Sequence, residues 1–119
     1  DPDSVRRYLV SAFRNAEREA VYAFYIAQNG SLLGRDLIFR GDISSARFSL
    51  RSITEGVIRT GGHSVILAHN HPSGSLFPSE DDIITTRNIA AHLAANDIEL
   101  IEHYIVGRND CVGIMNPNR

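Results

Sequence analysis

Lysine is absent from the chain. All 12 basic residues among its 119 are arginine. That removes lysine Schiff-base chemistry and the Walker-type phosphate loop, both of which need an amine on a flexible stem. Cysteine is nearly absent. Cys111 stands alone, so no intrachain disulfide can form, and neither a CxxC zinc site nor the zinc-deaminase signature is available. A chain without disulfides favours a reducing compartment, and the expected location is cytoplasmic. No apolar run approaches the ~18 residues that cross a bilayer, so no membrane role is expected. The polar start DPDSVRRYLV carries no secretory signal. Missing too is an initiator methionine. The abrupt Asp1-Pro2 start reads as a piece of something longer. Strong charge of either sign is lacking, the net being −2. A domain built mainly to grip nucleic acid would carry a clustered positive face. Arg7, Arg14 and Arg18 share a rough face of the first expected helix, which reads as solvated surface.

What is present fits one globular domain over residues 1–119, since a chain of this length buries roughly two-thirds of its unfolded surface. Val5, Leu9 and Phe13 recur every four residues, which predicts a helix from Ser4, as cap, to about Asn15. Ala20 to Ala27 is aromatic and β-branched and reads as a strand. Asn29-Gly30 is a hairpin signal, with Leu32 to Phe39 returning. Gly41 to Ser45 reads as loop. Ser49 to Thr60 reads as a helix with Ile53, Val57 and Ile58 inward, ended by Gly61-Gly62 in a left-handed cap. The apolar run His63 to His69 is the kind a buried central strand shows. A loop follows from Asn70 to Pro78, then a helix from Ser79 to about Ala95. Strands Ile98 to Val106 and Cys111 to Met115 complete the set, joined by a turn at Arg108 to Asp110. Hairpins together with crossovers imply an α/β domain with a mixed β-sheet flanked by helices.

The chemistry concentrates in AHNHPSGSLFPSEDD, from Ala68 to Asp82. His69 and His71 lie two apart at a strand end, so both imidazoles project to one face and can chelate one cation, while Asn70 points the other way. The C-terminal end of a buried strand is a usual place for a site in open α/β sheets. Asp82 follows in the first turn of the next helix, where a carboxylate is electrostatically favoured. Two histidines and an aspartate with one open position make a catalytic-type zinc set. From the residues alone, two readings of each element stay open. The His-x-His pair also suits a polar loop, and Ser79 with Asp82 also fits a capping box; Ser79 can cap while Asp82 binds.

At this point the stretch becomes specific. His-x-His, seven residues, Ser, two residues, Asp is the JAMM pattern of MPN/JAB-domain metalloproteases, and HNHPSG followed by PSxxD resembles its bacterial RadC-like branch. LIFRGDI before a helix and EHYIVG near the end agree with that branch, so the likeness covers Glu17 to Gly113. It implies an MPN/JAB (cytidine-deaminase-like) fold, with zinc held by His69, His71 and Asp82 and a water in the fourth place. The pattern also calls for an upstream Glu. Glu19, just before AVYAFYIA, is the matching position, with Glu17 as the alternative register and Glu55 a distractor in a Ser52-x-x-Glu55 box. By resemblance, Glu19 takes a proton from the zinc-bound water and later delivers it to the leaving amine, and Ser79 orients or stabilises the oxyanion. The implied reaction is amide or isopeptide hydrolysis. Two departures stand out: Glu102 replaces the more usual Asp of the EHYIVG segment, and the DNA-binding-like helical segment ahead of longer RadC-like domains is missing. His103 has two readings, a place near the cleft and, the favoured one, a structurally packed strand histidine; His63 and His92 read as surface or strand-edge residues.

The expected substrate is peptide-like or protein-like. Nucleic acid enters only through the missing N-terminal segment. Competing readings are a DNA-repair-associated or scaffold module with a non-catalytic metal site, and a metal-dependent nuclease. An intact ligand set favours the hydrolase over a metal-free scaffold.

Overall fold

The computed structural model describes residues 1–40 and 50–116. Among the described residues, three helices and five strands follow in the order α1 (Pro2–Ala12), β1 (Ala20–Ile26), β2 (Leu32–Arg40), α2 (Leu50–Thr60), β3 (Ser64–Asn70), α3 (Glu80–Ala94), β4 (Glu99–Val106) and β5 (Cys111–Gly113). The strands form one sheet in the order β2-β1-β3-β4-β5. All neighbours are antiparallel except β3 and β4, which are parallel. A parallel pair needs a long crossover, and α3 supplies it. The mixed sheet flanked by helices is therefore the expected α/β class.

Burial explains the layering. Every residue of β3 is buried, as a central strand covered on both faces requires. Val21, Ala23, Tyr25, Val65 and Leu67 pack with Ile53 and Val57 of α2 and Ile89 and Leu93 of α3. On the opposite face Phe24, Ile66, Ala68 and Tyr104 pack with Leu9 and Phe13. Alternating side chains on β1 thus serve two cores, and α1 covers one face while α2 and α3 cover the other.

Several boundaries differ from the expectation, each for a local reason. Asp1, not Ser4, caps α1. Its carboxylate accepts from the Asp3 N–H at 3.1 Å, and the Ser4 hydroxyl donates to the same carboxylate at 3.1 Å. The helix stops at Ala12, so Arg14 and Arg18 do not continue the face of Arg7. Phe13 still keeps its period because it packs edge-on against Tyr22 from the cap position. Ile58 is 74% exposed rather than inward. The buried face of α2 is Ile53, Gly56 and Val57, and Ile58 lies about 100° further round the helix from Val57. Ser52 sits inside α2, and Glu55 pairs with Arg51 at 3.0 Å. Gly61 adopts φ +71°, the left-handed cap expected. The loop reading of Gly41 to Ser45, the start of the second helix at Ser49, and part of the LIFRGDI segment lie outside the described residues.

The C-terminal edge depends on Glu102. This fully buried carboxylate accepts from the backbone N–H groups of His103, Met115 and Asn116 at 2.8, 2.8 and 2.9 Å. A Cβ on Gly113 would collide with Glu102 Oε2. The longer side chain at this position thus ties the segment after β5 back to β4.

Candidate metal centre

β3 ends by delivering two imidazoles. His69 is fully buried within the strand, and His71 follows one residue past its end, held by its N–H to the Val106 carbonyl at 2.9 Å. The two rings stand edge to face, 4.7 Å between centres. β1 lies antiparallel beside β3 with Val21 opposite His69. Continuing that register two residues sets Glu19 opposite His71. Ligand atoms of Glu19, His69 and His71 come within 4.8 Å of one another, and His69 Nε2 lies 3.7 Å from Glu19 Oε2. Glu17, the alternative register, is exposed and outside this group.

The tautomer of His71 follows from its partner. Nδ1 lies 3.0 Å from the Ser75 carbonyl, and a carbonyl can only accept. Nδ1 therefore carries the proton, and Nε2 keeps a bare lone pair for a cation. The turn that brings Ser75 back uses Gly74 at φ +91°, whose N–H donates to the His71 carbonyl at 2.9 Å. A left-handed residue at that point is what glycine permits without steric cost.

Asp82 is 2% exposed, so its carboxylate faces the interior rather than solvent. Ser79 caps α3, and both halves of a capping box form. The Ser79 hydroxyl accepts from the Asp82 N–H at 3.0 Å, and Asp82 Oδ2 accepts from the Ser79 N–H at 2.9 Å. Asp82 Oδ1 is buried without a hydrogen-bond partner among the described residues. No Asp82 oxygen belongs to the three-residue group above. A buried, half-satisfied carboxylate oxygen is costly unless something positive meets it. Imidazole nitrogens with carboxylate oxygens are a donor set that suits zinc, so the residues present fit that ion.

Three supporting residues escaped the sequence reading. The Asn70 side chain brackets Glu19: its Oδ1 accepts from the Ala20 N–H at 2.8 Å, and its Nδ2 donates to the Arg18 carbonyl at 3.0 Å. Ser75 supplies the carbonyl for His71. Thr86, one turn after Asp82, donates to the Asp82 carbonyl at 2.7 Å and meets His103 Nδ1 at 2.7 Å. The one available signal for Asn70 was its place at the end of a buried strand, where an amide must find partners for both its ends. His103 is indeed packed inside a strand, but beside the site, its ring centre 6.1 Å from that of His69. Burial, with His69 and His71 adding, pushes its pKa down to about 3. His63 and His92 are exposed and outside this group. No helix among the described residues is long and apolar enough to cross a membrane.

Residues 1–118 match the family model of the RadC-like JAB domain. It is 35% identical over 111 residues to a UPF0758 protein of Photobacterium profundum, covering 93% of this chain and 50% of that one. A UPF0758 protein of Ralstonia pickettii is 35% identical over 112 residues, 94% of this chain and 50% of its own. One from Finegoldia magna is 32% identical over 114 residues, 96% and 51%. The chain spans about half the length of these curated relatives.

Proposed function

The chain belongs to the RadC-like JAB domain family, and on that premise we propose that it is a zinc-dependent hydrolase of the JAMM type, cleaving an amide or isopeptide bond. One observation carries the reading: Glu19, His69 and His71 offer ligand atoms within 4.8 Å of one another at the end of a central strand. His69, His71 and Asp82 would hold the ion, and the unpartnered Asp82 Oδ1 is the oxygen offered to it. When bound, zinc supplies Lewis acidity, which lowers the pKa of water and polarises a carbonyl.

The remaining steps belong to the chain's own groups. Glu19 is the general base. Its side chain is 36% exposed, so it meets both the site and incoming substrate. It takes a proton from the attacking water as the new C–O bond forms. It returns that proton to the leaving nitrogen as the C–N bond breaks, so no further co-reactant is needed. The Asn70 bracket on Arg18 and Ala20 fixes the backbone from which Glu19 projects. The Ser79 hydroxyl accepts from the Asp82 N–H, and its own proton serves the substrate oxygen that gains charge.

Zinc titration of the wild type, His69→Ala and Asp82→Ala tests the site. Expected is one zinc per chain for the wild type and loss of binding in both variants; wild-type affinity in both sinks the assignment. Incubation with a peptide library and with labelled DNA tests the reaction. Peptide cleavage that disappears in Glu19→Gln supports amide hydrolysis, whereas DNA cleavage that disappears in the same variant transfers the chemistry to a phosphodiester. Zinc bound without turnover of either substrate favours a scaffold with a non-catalytic metal site.

A further inference from the structure

The three polar groups Asp82 carbonyl, Thr86 hydroxyl and His103 ring form a chain whose proton order is determined. The carbonyl accepts only. The Thr86 hydroxyl has one proton, and it lies 2.7 Å from the Asp82 carbonyl oxygen. Toward His103 Nδ1, also at 2.7 Å, the hydroxyl must then accept, which puts the ring proton on Nδ1. A neutral imidazole so arranged has a bare lone pair on Nε2. That nitrogen is buried and has no hydrogen-bond partner among the described residues. Both His103 and Thr86 are essentially inaccessible, at 0% and 1% exposure, so bulk solvent does not reach that nitrogen. A buried acceptor of this kind calls for a donor.

The facing group is His69. His103 pairs with Leu67 across the parallel β3 and β4 strands, and His69 lies two residues further along β3, hence on the same face. The ring centres are 6.1 Å apart with the planes tilted by 37°. An in-line N–H···N contact between two imidazoles sets their centres roughly 5 Å apart, so the two rings must approach by about 1 Å for the bond to form. His69 turns Nε2 toward Glu19. For Nε2 to offer a lone pair, the ring proton must sit on Nδ1, and histidines that hold metals usually give that second N–H to an acceptor. His71 already does this with the Ser75 carbonyl.

We propose that His103 is a positioning residue for the metal centre: Thr86 keeps its proton on Nδ1, and its bare Nε2 accepts the ring N–H of His69, holding His69 in the tautomer that presents Nε2 to a cation. This rests on the proposed zinc site. Through the Asp82 carbonyl the same chain of bonds also ties the first turn of α3 to β4. One buried threonine thereby couples the orientation of a ligand on β3 to the placement of a ligand on α3.

Two measurements on the intact chain test it. Nitrogen-15 imidazole spectra of the zinc-free wild type should show His103 protonated on Nδ1 only, and His69 moving to the Nδ1–H tautomer when zinc is added. Zinc affinity, read by competition with a chelator, should fall about 10–100-fold in His103→Leu. It should recover to within several-fold of wild type in His103→Gln, whose amide oxygen replaces the acceptor. Thr86→Val, which loses the hydroxyl at nearly constant volume, should give mixed His103 tautomers and a smaller loss. A wild-type His103 protonated on Nε2 overturns the inference, and this spectrum decides the matter even where a variant does not fold. So does a folded His103→Leu that binds zinc as the wild type does. A Gln variant as weak as Leu assigns the loss to packing and also overturns it. His69→Ala separates the two levels: if it loses zinc while His103→Leu keeps it, only the role of His103 fails; if it too keeps zinc, the metal centre itself is wrong.

Discussion

Asn70 spends both ends of its amide on one short stretch of backbone, accepting from the Ala20 N–H and donating to the Arg18 carbonyl on either side of Glu19. Asn70→Asp keeps the acceptor but loses the donor, and sets a carboxylate against a carbonyl oxygen in a buried place. The expected cost is about 1–3 kcal/mol of unfolding free energy, the penalty for an unsatisfied buried group. Urea denaturation reads it, and if hydrolysis by the domain is established, turnover should fall further than stability alone explains. An Asn70→Asp protein as stable and as active as wild type would show that Glu19 is held by other means. His69 and His71, which the structure brings together with Glu19, were legible because the His-x-His spacing at a strand end carries the signal within three residues. Asn70 was not, because its partners lie 50 and 52 positions earlier and only the pairing of β1 with β3 brings them close. Cys111 offers a second residue-scale test. Its thiol is 2% exposed, and burial pushes its pKa up to about 11. The thiolate is the reactive form, so labelling at pH 8 should be slow in the folded protein and should become fast once denaturant unfolds it. Rapid labelling without denaturant contradicts the buried placement.

Helix α2 approaches the sheet through Gly56, and the reason lies on β1. A Cβ on Gly56 would overlap the Tyr25 hydroxyl. Tyr25 cannot swing aside easily: it is fully buried, and its hydroxyl donates to Asp36 Oδ2 at 2.6 Å. Arg59 of the same helix donates to that carboxylate at 2.6 Å, closing a link between α2, β1 and β2. Gly56→Ala therefore sets two effects against each other. Alanine gains about 1 kcal/mol of helix propensity over glycine, while overpacking a filled interface costs about 1–3 kcal/mol. The overlap is with a pinned aromatic group, so the second should win, giving net destabilisation and a lower thermal midpoint. A raised midpoint would show that α2 is free to shift. The elements themselves were read well from pattern, since alternation and aromatic content mark β1 and a continuous apolar run marks β3. Inward faces were read less well. Ile58 looked like core by composition, yet the register of α2 is set by where a glycine lets the helix touch Tyr25, and a lone Gly within a helical pattern does not announce its partner.

At the scale of the molecule, both cores meet at the strands that also carry the candidate site, so acidity acts on fold and site together. His103 sits where β3, β4 and α3 join, and burial holds its pKa near 3, against the ordinary value of 6.5. Well above pH 6.5 neither folded nor unfolded chain protonates this ring, and it adds no pH dependence. Between 6.5 and about 3 the unfolded chain binds a proton that the folded chain refuses, so stability falls as pH falls, by up to about 1.4 kcal/mol per pH unit. Asp36 works in a lower window. Hydrogen bonds from Tyr25 and Arg59 lower its pKa below the ordinary value of 3.8, so the stability it contributes is lost only as pH drops below the usual carboxylate range. From pH 6.5 to 4.5 the wild type and His103→Gln share every other titratable group, so their difference reports this histidine. Zinc-free wild type, unfolded by urea at intervals across that range, should take up about one more proton on unfolding than His103→Gln does. The comparison is of slopes, so a constant stability difference between the two proteins does not disturb it. Equal slopes would mean that the ring opens to solvent and protonates in the folded state, and the tight junction of β3, β4 and α3 would have to be redrawn.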